Sequence, residues 1–393
     1  MANPKRINGK ALLICLLVCI AAAGIFLVGF LSQPIRPLDS ISSMPPSLPP
    51  SEQQPFVSEV AAETPNATTG EPTPTSAASF SLSVWVSYLD WENGLNDLNA
   101  ITEVPDSVNV FAASFQEPDT LTFPETKPEM LTNLQQISSA YPEMPVYLTI
   151  VNDVQDTNGD WNLKDSALVE RLMASEESRS EHIGKIIDMV QKNGFSGVEI
   201  DYEKINDETW SNFALFCTQL YNDLSQMNIP LRVILEPGSP IEQGVLPAGP
   251  EYVMMAYNLY GEGTQPGPKA DNQFISELAA RMSVLPGEKC IAFATGGYEW
   301  DANGKAVQIT EAKAFELSQQ SSDLERDAGS GALHFTYQAE DGVHTVWYAD
   351  GETLAGWFNL SRSLGYGKIA LWRLGGCQPE TLQMLGELKG LSQ

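Results

Sequence analysis

From Phe80 onward, short β-branched or aromatic runs alternate with longer stretches of helical periodicity, and this alternation limits the possible folds more than any other feature of the sequence. The strand-like runs are SVWVSYL near 83, SVNVFAASF near 107, MPVYLTIV near 144, GVEIDYE near 197, IPLRVILE near 229, YVMMAYN near 252, CIAFATG near 290 and KIALWRL near 368. Helical periodicity is clearest at 165–193, 208–227, 271–284, 310–321 and 378–389. Near-continuous apolar strands joined by crossover helices imply a parallel sheet buried on both faces. Eight such units predict an α/β chain folded as a (β/α)8 TIM barrel, which takes about 250 residues and more with insertions. The interval between the seventh and eighth runs is long, and LHFTYQAEDGVHTVWYAD reads as a hairpin turning at Glu340-Asp341-Gly342, so a small hairpin insertion is expected there. An open doubly wound sheet would need a Gly-rich phosphate loop after a strand, and none follows any of these.

Ahead of the barrel, the stretch from Ala11 to Leu31 carries neither a charge nor a proline, and a bilayer core needs roughly 20 such residues. Lys5, Arg6 and Lys10 precede it, so the positive-inside bias predicts a cytoplasmic tail at 1–10, a transmembrane signal anchor at 11–31 and export of everything beyond. The localisation expected is the cell membrane, single-pass, with an extracytoplasmic domain; the protein would be secreted if the segment were cleaved. Residues 32–79 are rich in Pro, Ser, Thr and Glu and read as a disordered linker, leaving 80–393 as the barrel.

An apolar fraction of 43% suffices for a substantial core, and a net charge of −28 argues against nucleic acid as a partner. The same charge favours a substrate that is neutral or charged only away from the reacting bond. Beyond the apolar segment, Cys217, Cys290 and Cys377 are odd in number and irregularly spaced, which implies buried small residues before a disulfide framework. The loop from Asp156 to Trp161 begins like a calcium loop but has Trp at the turn-glycine position, and His182, His334 and His344 form no zinc-binding pair, so no metal or cofactor is implied. The oligomeric state is not legible.

The run GVEIDYE carries the chemistry. Side chains alternate along a strand, so Glu199, Asp201 and Glu203 share one face and Val198, Ile200 and Tyr202 the other. In a barrel the apolar set faces the helices and the acids climb the interior toward the C-terminal rim, where barrel enzymes keep their sites. Barrel interiors are normally layers of Val, Ile and Leu, and carboxylates there are costly unless partnered or protonated. A carboxyl group crowded by others keeps its proton near neutral pH and can protonate a leaving oxygen. Glu203, nearest the rim, is the candidate acid; spacing leaves Asp201 as either base or nucleophile.

The segment Ser196-Gly197-Val198-Glu199-Ile200-Asp201-Tyr202-Glu203 resembles the fourth-strand pattern D-G-x-D-x-D-x-E of glycoside hydrolase family 18, the chitinase and endo-β-N-acetylglucosaminidase family, with Ser196 and Glu199 in place of the first two acids. MMAYNLYG is similar to the family's M-x-Y-D, with Asn258 where Asp is usual, and ALWRLGG resembles its closing strand. The resemblance implies a retaining hydrolase of β-1,4-linked N-acetylglucosamine-containing glycans, peptidoglycan or chitin-like, acting by substrate-assisted catalysis. It makes Glu203 the proton donor, sets Asp201 and Tyr257 on the substrate's acetamido group, and puts Trp372 under the sugar. Glu199 and Asn258 fall among the substrate-binding positions, and Tyr88, Phe115 and Tyr298 are further wall candidates. WNL with the downstream arginine at Arg179, HTVWYAD and WRLGG resemble the bacterial branch related to spore-cortex and cell-wall glucosaminidases. The alternatives are a non-catalytic glycan-binding protein of the cell envelope on the same fold, against which the retained Glu203 speaks, and an envelope structural or sensor protein.

Overall fold

The computed structural model describes residues 80–124 and 130–390; the basic tail, the apolar segment at 11–31 and the linker lie outside the described residues. Among the described residues no helix is long and apolar enough to cross a membrane.

Eight strands, β1 (Ser81–Ser87), β2 (Ser107–Gln116), β3 (Val146–Gln155), β4 (Gly197–Asp201), β5 (Leu231–Leu235), β6 (Glu251–Met255), β7 (Glu288–Ala294) and β8 (Lys368–Trp372), pair in parallel in that order. β8 also pairs with β1, closing the ring. The architecture is the expected (β/α)8 barrel. Its strands divide two cores by alternation. Outward residues such as Val198, Ile200 and Tyr202 join a large cluster beneath the helices, and inward residues such as Trp85, Ile234, Val253, Met255, Ala292 and Ala370 form a smaller one inside the ring.

The helices begin and end where the side chains dictate. The stretch expected as one helix at 165–193 is two, α1 (Ser166–Met173) and α2 (Glu176–Asn193). Ser175 makes a reciprocal capping box with Ser178, which restarts the helix, and Gly194 ends it at a φ of 74°. Asn206 caps the helix Asp207–Gln226 through its bond from the Thr209 N–H.

The insertion between β7 and β8 is larger than the hairpin read from the sequence. It is a five-stranded antiparallel sheet whose strands lie in the order 306–309, 296–300, 342–349, 333–339, 325–326. The expected hairpin is its centre, with Ala339 opposite Gly342. The added strands escaped notice because one holds four residues, another two, and GGYEW directly follows β7 with too many glycines to read as a strand. The sheet belongs to the same compact unit as the barrel. Gly297 faces the backbone across the sheet so closely that an added Cβ would lie 1.8 Å from the Trp347 carbonyl oxygen. Gly297→Ala therefore separates these two strands and lowers stability by more than about 2 kcal/mol. A denaturant midpoint equal to that of the wild type would refute this.

Candidate active site

The three acids of the fourth-strand motif occupy three environments, one above another. Glu199, deepest, is fully buried. Its Oε2 accepts from Trp85 Nε1 at 2.8 Å and Thr149 Oγ1 at 2.6 Å, and its Oε1 lies 2.7 Å from Arg232 Nη1. Arg232, on β5, also pairs with Glu251 at 2.8 Å, and Glu251 with Lys368 at 2.7 Å. Burial pushes the Glu199 carboxyl up, while Arg232, Thr149 and Trp85 pull it down. Glu199 is thus committed to the barrel's interior network. Arg232 went unnoticed in the sequence, although IPLRVILE shows the signal: an arginine inside an apolar strand, which in a barrel holding a row of acids has an obvious partner.

Asp201 stands one layer higher, 8% exposed, and its Oδ1 has no hydrogen-bond partner among the described residues. Burial first, then the charges of Glu203 and Glu199, hold its carboxyl well above the usual range. Tyr257, just past the end of β6, is 8% exposed, and burial with the nearby Asp201 keeps its phenol protonated. A buried carboxyl with one unpartnered oxygen and a nearby phenol O–H can receive a group that both donates and accepts, as an amide does.

Glu203 follows the strand at the rim. Asn152, on β3, grips its backbone from both sides: Nδ2 donates to the Glu203 carbonyl and Oδ1 accepts from its N–H, each at 2.9 Å. Burial pushes the Glu203 carboxyl up to about 7 against the pull of Lys164, whose Nζ contacts Glu203 Oε2. The carboxyl is therefore divided between acid and carboxylate near neutral pH, the condition for a general acid.

Apolar walls surround this column. Trp372, at the end of β8, packs edge-on against Phe111 with centroids 4.6 Å apart and lies 6.0 Å from Trp85; Tyr88 stacks on Phe111 at 6.2 Å. Phe115 does not share this surface. It is fully buried on the helix side among His182 and Tyr202. At the end of this strand Phe115 is expected on the wall, and a period of two would put it on the same face as Phe111; the register of β2 against β3 shifts between Phe111 and Ala113 and again before Phe115, which leaves Phe111 inside. Tyr298 lies on the first strand of the inserted sheet, where its hydroxyl reaches Asn258 Oδ1 at 3.4 Å and its ring covers Lys269 Nζ at 5.3 Å. Asn258 itself is exposed at φ 61°, a conformation that Asn tolerates well. The loop at Asp156 is a turn in which Asp156 Oδ1 accepts from the N–H groups of Asn158 and Asp160. His182 is packed behind β4 and bonds Tyr202 at 2.7 Å, and each of the three described cysteines is buried and unpaired.

Comparison with known proteins agrees with this fold. The chain is 24% identical to a cortical fragment-lytic enzyme of Bacillus cereus over 228 residues, 53% of this chain and 53% of that protein. It is 22% identical over 228 residues to YvbX, an uncharacterised glycosylase of Bacillus subtilis, covering 54% of this chain and 66% of the other. The chain thus spans between about half and two thirds of the length of these curated relatives. Among solved structures, the spore cortex-lytic enzyme SleL of Bacillus cereus superposes with a TM-score of 0.66 at 20% identity, covering 79% of this chain and 74% of that one. A chitinase from Chromobacterium violaceum superposes with a TM-score of 0.68 at 20% identity, covering 80% and 99%. The sequence profile of the glycosyl hydrolases family 18 matches residues 84–376, and with the barrel and its fourth-strand acids in place, the chain belongs to that family.

Proposed function

We propose that this protein is a retaining hydrolase of β-1,4-linked N-acetylglucosamine-containing glycans, with cell-wall peptidoglycan preferred over chitin, and that it acts from the outer face of the membrane. The observation that carries the reading is the buried carboxyl of Asp201, whose Oδ1 has no hydrogen-bond partner among the described residues, near enough to Glu203 and the Tyr257 phenol for their charges to act on one another. In this mechanism the sugar lies on Trp372, whose ring suits the C–H face of a pyranose. Its acetamido group is held by Asp201 and Tyr257, so that the acetamido oxygen is aimed at C1. Glu203 protonates the departing oxygen as the C1–O bond breaks, and the acetamido oxygen closes on C1 to give an oxazolinium ion. Asp201 accepts the acetamido N–H and stabilises the developing charge. Glu203, now a carboxylate, removes a proton from water as it opens that ring, with net retention. The preference for cell-wall glycan is supported by likeness to cortical fragment-lytic enzymes, and the membrane location by the apolar segment at 11–31 behind Lys5, Arg6 and Lys10.

The direct test is to incubate the purified protein with chitooligosaccharides, peptidoglycan and a high-mannose glycan and to identify products by mass, with Glu203→Gln as the control. Product in equal yield from both proteins, or none on all three substrates, would sink the hydrolase reading. Trp372→Ala removes the floor and raises KM by about tenfold, with a smaller change in kcat, as loss of ground-state stacking requires. A change confined to kcat would place Trp372 elsewhere in the mechanism.

A further inference from the structure

A proton donor is most useful when protonated, yet Glu203 is in contact with an ammonium group that favours its ionised form. That contact is built into the fold. Lys164 holds a φ of 57°, a backbone conformation uncommon for a residue with a long side chain. Its N–H donates to Asp153 Oδ1 at 2.8 Å, and the next residue's N–H donates to the carbonyl of Asn152 at 2.8 Å. Asn152 is the residue that grips Glu203. The loop carrying the lysine and the strand end carrying the acid are therefore fastened to one asparagine. Asp201 on its own strand, Glu236 after β5 and Tyr257 after β6 also act on or feel Glu203, and none of these is cationic. The Lys164 side chain is 36% exposed, so it can also be reached from solvent.

We propose that Lys164 recognises a carboxylate carried on O3 of the sugar on the leaving side of the cut bond, and that moving to this carboxylate frees Glu203 to act as the acid. The proposal rests on the hydrolase reading above. In a β-1,4 linkage the oxygen that Glu203 protonates is O4 of the leaving sugar, and O3 is on the adjacent carbon. A three-carbon lactyl ether on O3, as in muramic acid, brings its carboxylate back beside O4, within reach of a cation that rests on the acid. Lys164 keeps its proton throughout and exchanges one carboxylate partner for another. Glu203, released, takes a proton from solvent at the rim and delivers it to O4, which leaves with the C1–O4 electron pair. A neutral chitin chain offers no such anion and leaves the lysine on Glu203. The net charge of the chain argued for a neutral group at the reacting bond; here a single cation at that bond outweighs the remote field, because Coulomb interactions fall with distance and are screened.

The test uses the full chain, as wild type, Lys164→Met and Lys164→Arg. The substrates are an alternating N-acetylglucosamine–N-acetylmuramic acid glycan with free lactyl carboxylates, the same glycan after amidation, and chitohexaose. Wild type prefers the free acid to the amide by about 30-fold in kcat/KM, the worth of one charge-assisted hydrogen bond. Lys164→Met reduces that preference to less than about threefold, and Lys164→Arg retains about tenfold. In Lys164→Met, chitohexaose cleavage at pH 7 rises about twofold and the basic limb of its pH profile moves up, because Glu203 without its cation stays protonated longer. Loss by one factor on all three substrates, or equal cleavage of acid and amide by wild type, overturns the role of Lys164 while the hydrolase reading stands. Failure of wild type to cut any of the three overturns both.

Discussion

Glu203→Gln lowers kcat by about 10³-fold on a natural glycan, within the range by which a positioned acid assists bond cleavage. KM stays within about threefold, because the amide keeps the shape and much of the hydrogen bonding of the acid. Two accompanying measurements separate this outcome from simple damage. With an aryl glycoside, whose phenol leaves with little protonation, the deficit shrinks by about tenfold or more, since the missing proton is no longer needed for the first step. In wild type, activity falls as pH rises through about 7, because burial sets the Glu203 carboxyl there and the carboxylate has no proton to give. The descending limb is then missing from the residual activity of the glutamine variant. Equal deficits on both substrates, or a wild-type limb unmoved by the substitution, would assign Glu203 another role.

Arg232→Met has the second large effect, on stability. The guanidinium is paired with both Glu199 and Glu251, almost wholly buried, with the rings of Trp85 and Tyr147 centred 5.9 and 5.7 Å from it. Removing one partner of a buried ion pair costs about 3–5 kcal/mol, because the remaining carboxylate is left in a medium that solvates it poorly. A domain is typically stable by only about 5–15 kcal/mol, so urea unfolding should register this plainly. Arg232→Met with Glu199→Gln recovers a substantial part, since the pair is coupled and the amide carries no charge to strand. A loss below about 1 kcal/mol in the single variant would show that water or protonation already satisfies Glu199.

The barrel was legible because its evidence is periodic: each strand-like run lies on one of the eight ring strands, and Val198, Ile200 and Tyr202 face the helices as a period of two requires. The order of the acids was legible for the same reason. What escaped depends on contacts distant in sequence or on departures from periodicity. Phe111 and Phe115, which a period of two would set on one face, lie on opposite faces across a register shift that no composition announces. Arg232 acquires meaning only when β5 lies beside β4, and Lys164, in a polar loop, only when Asn152 draws that loop to the end of the motif strand. The inserted sheet was half seen, because its central hairpin alternates clearly and its outer strands are too short to do so.

The layer in which Trp85, Thr149 and Arg232 close around Glu199 has a consequence for traffic through the cleft. It turns the barrel into a vessel stoppered below, so reactants, products and the proton that resets Glu203 all pass through the upper opening. On the hydrolase reading, the departing sugar must clear that opening before water can open the oxazolinium ring. A second glycan arriving there first would be joined to the trapped fragment, so concentrated oligosaccharide should yield chains longer than those supplied.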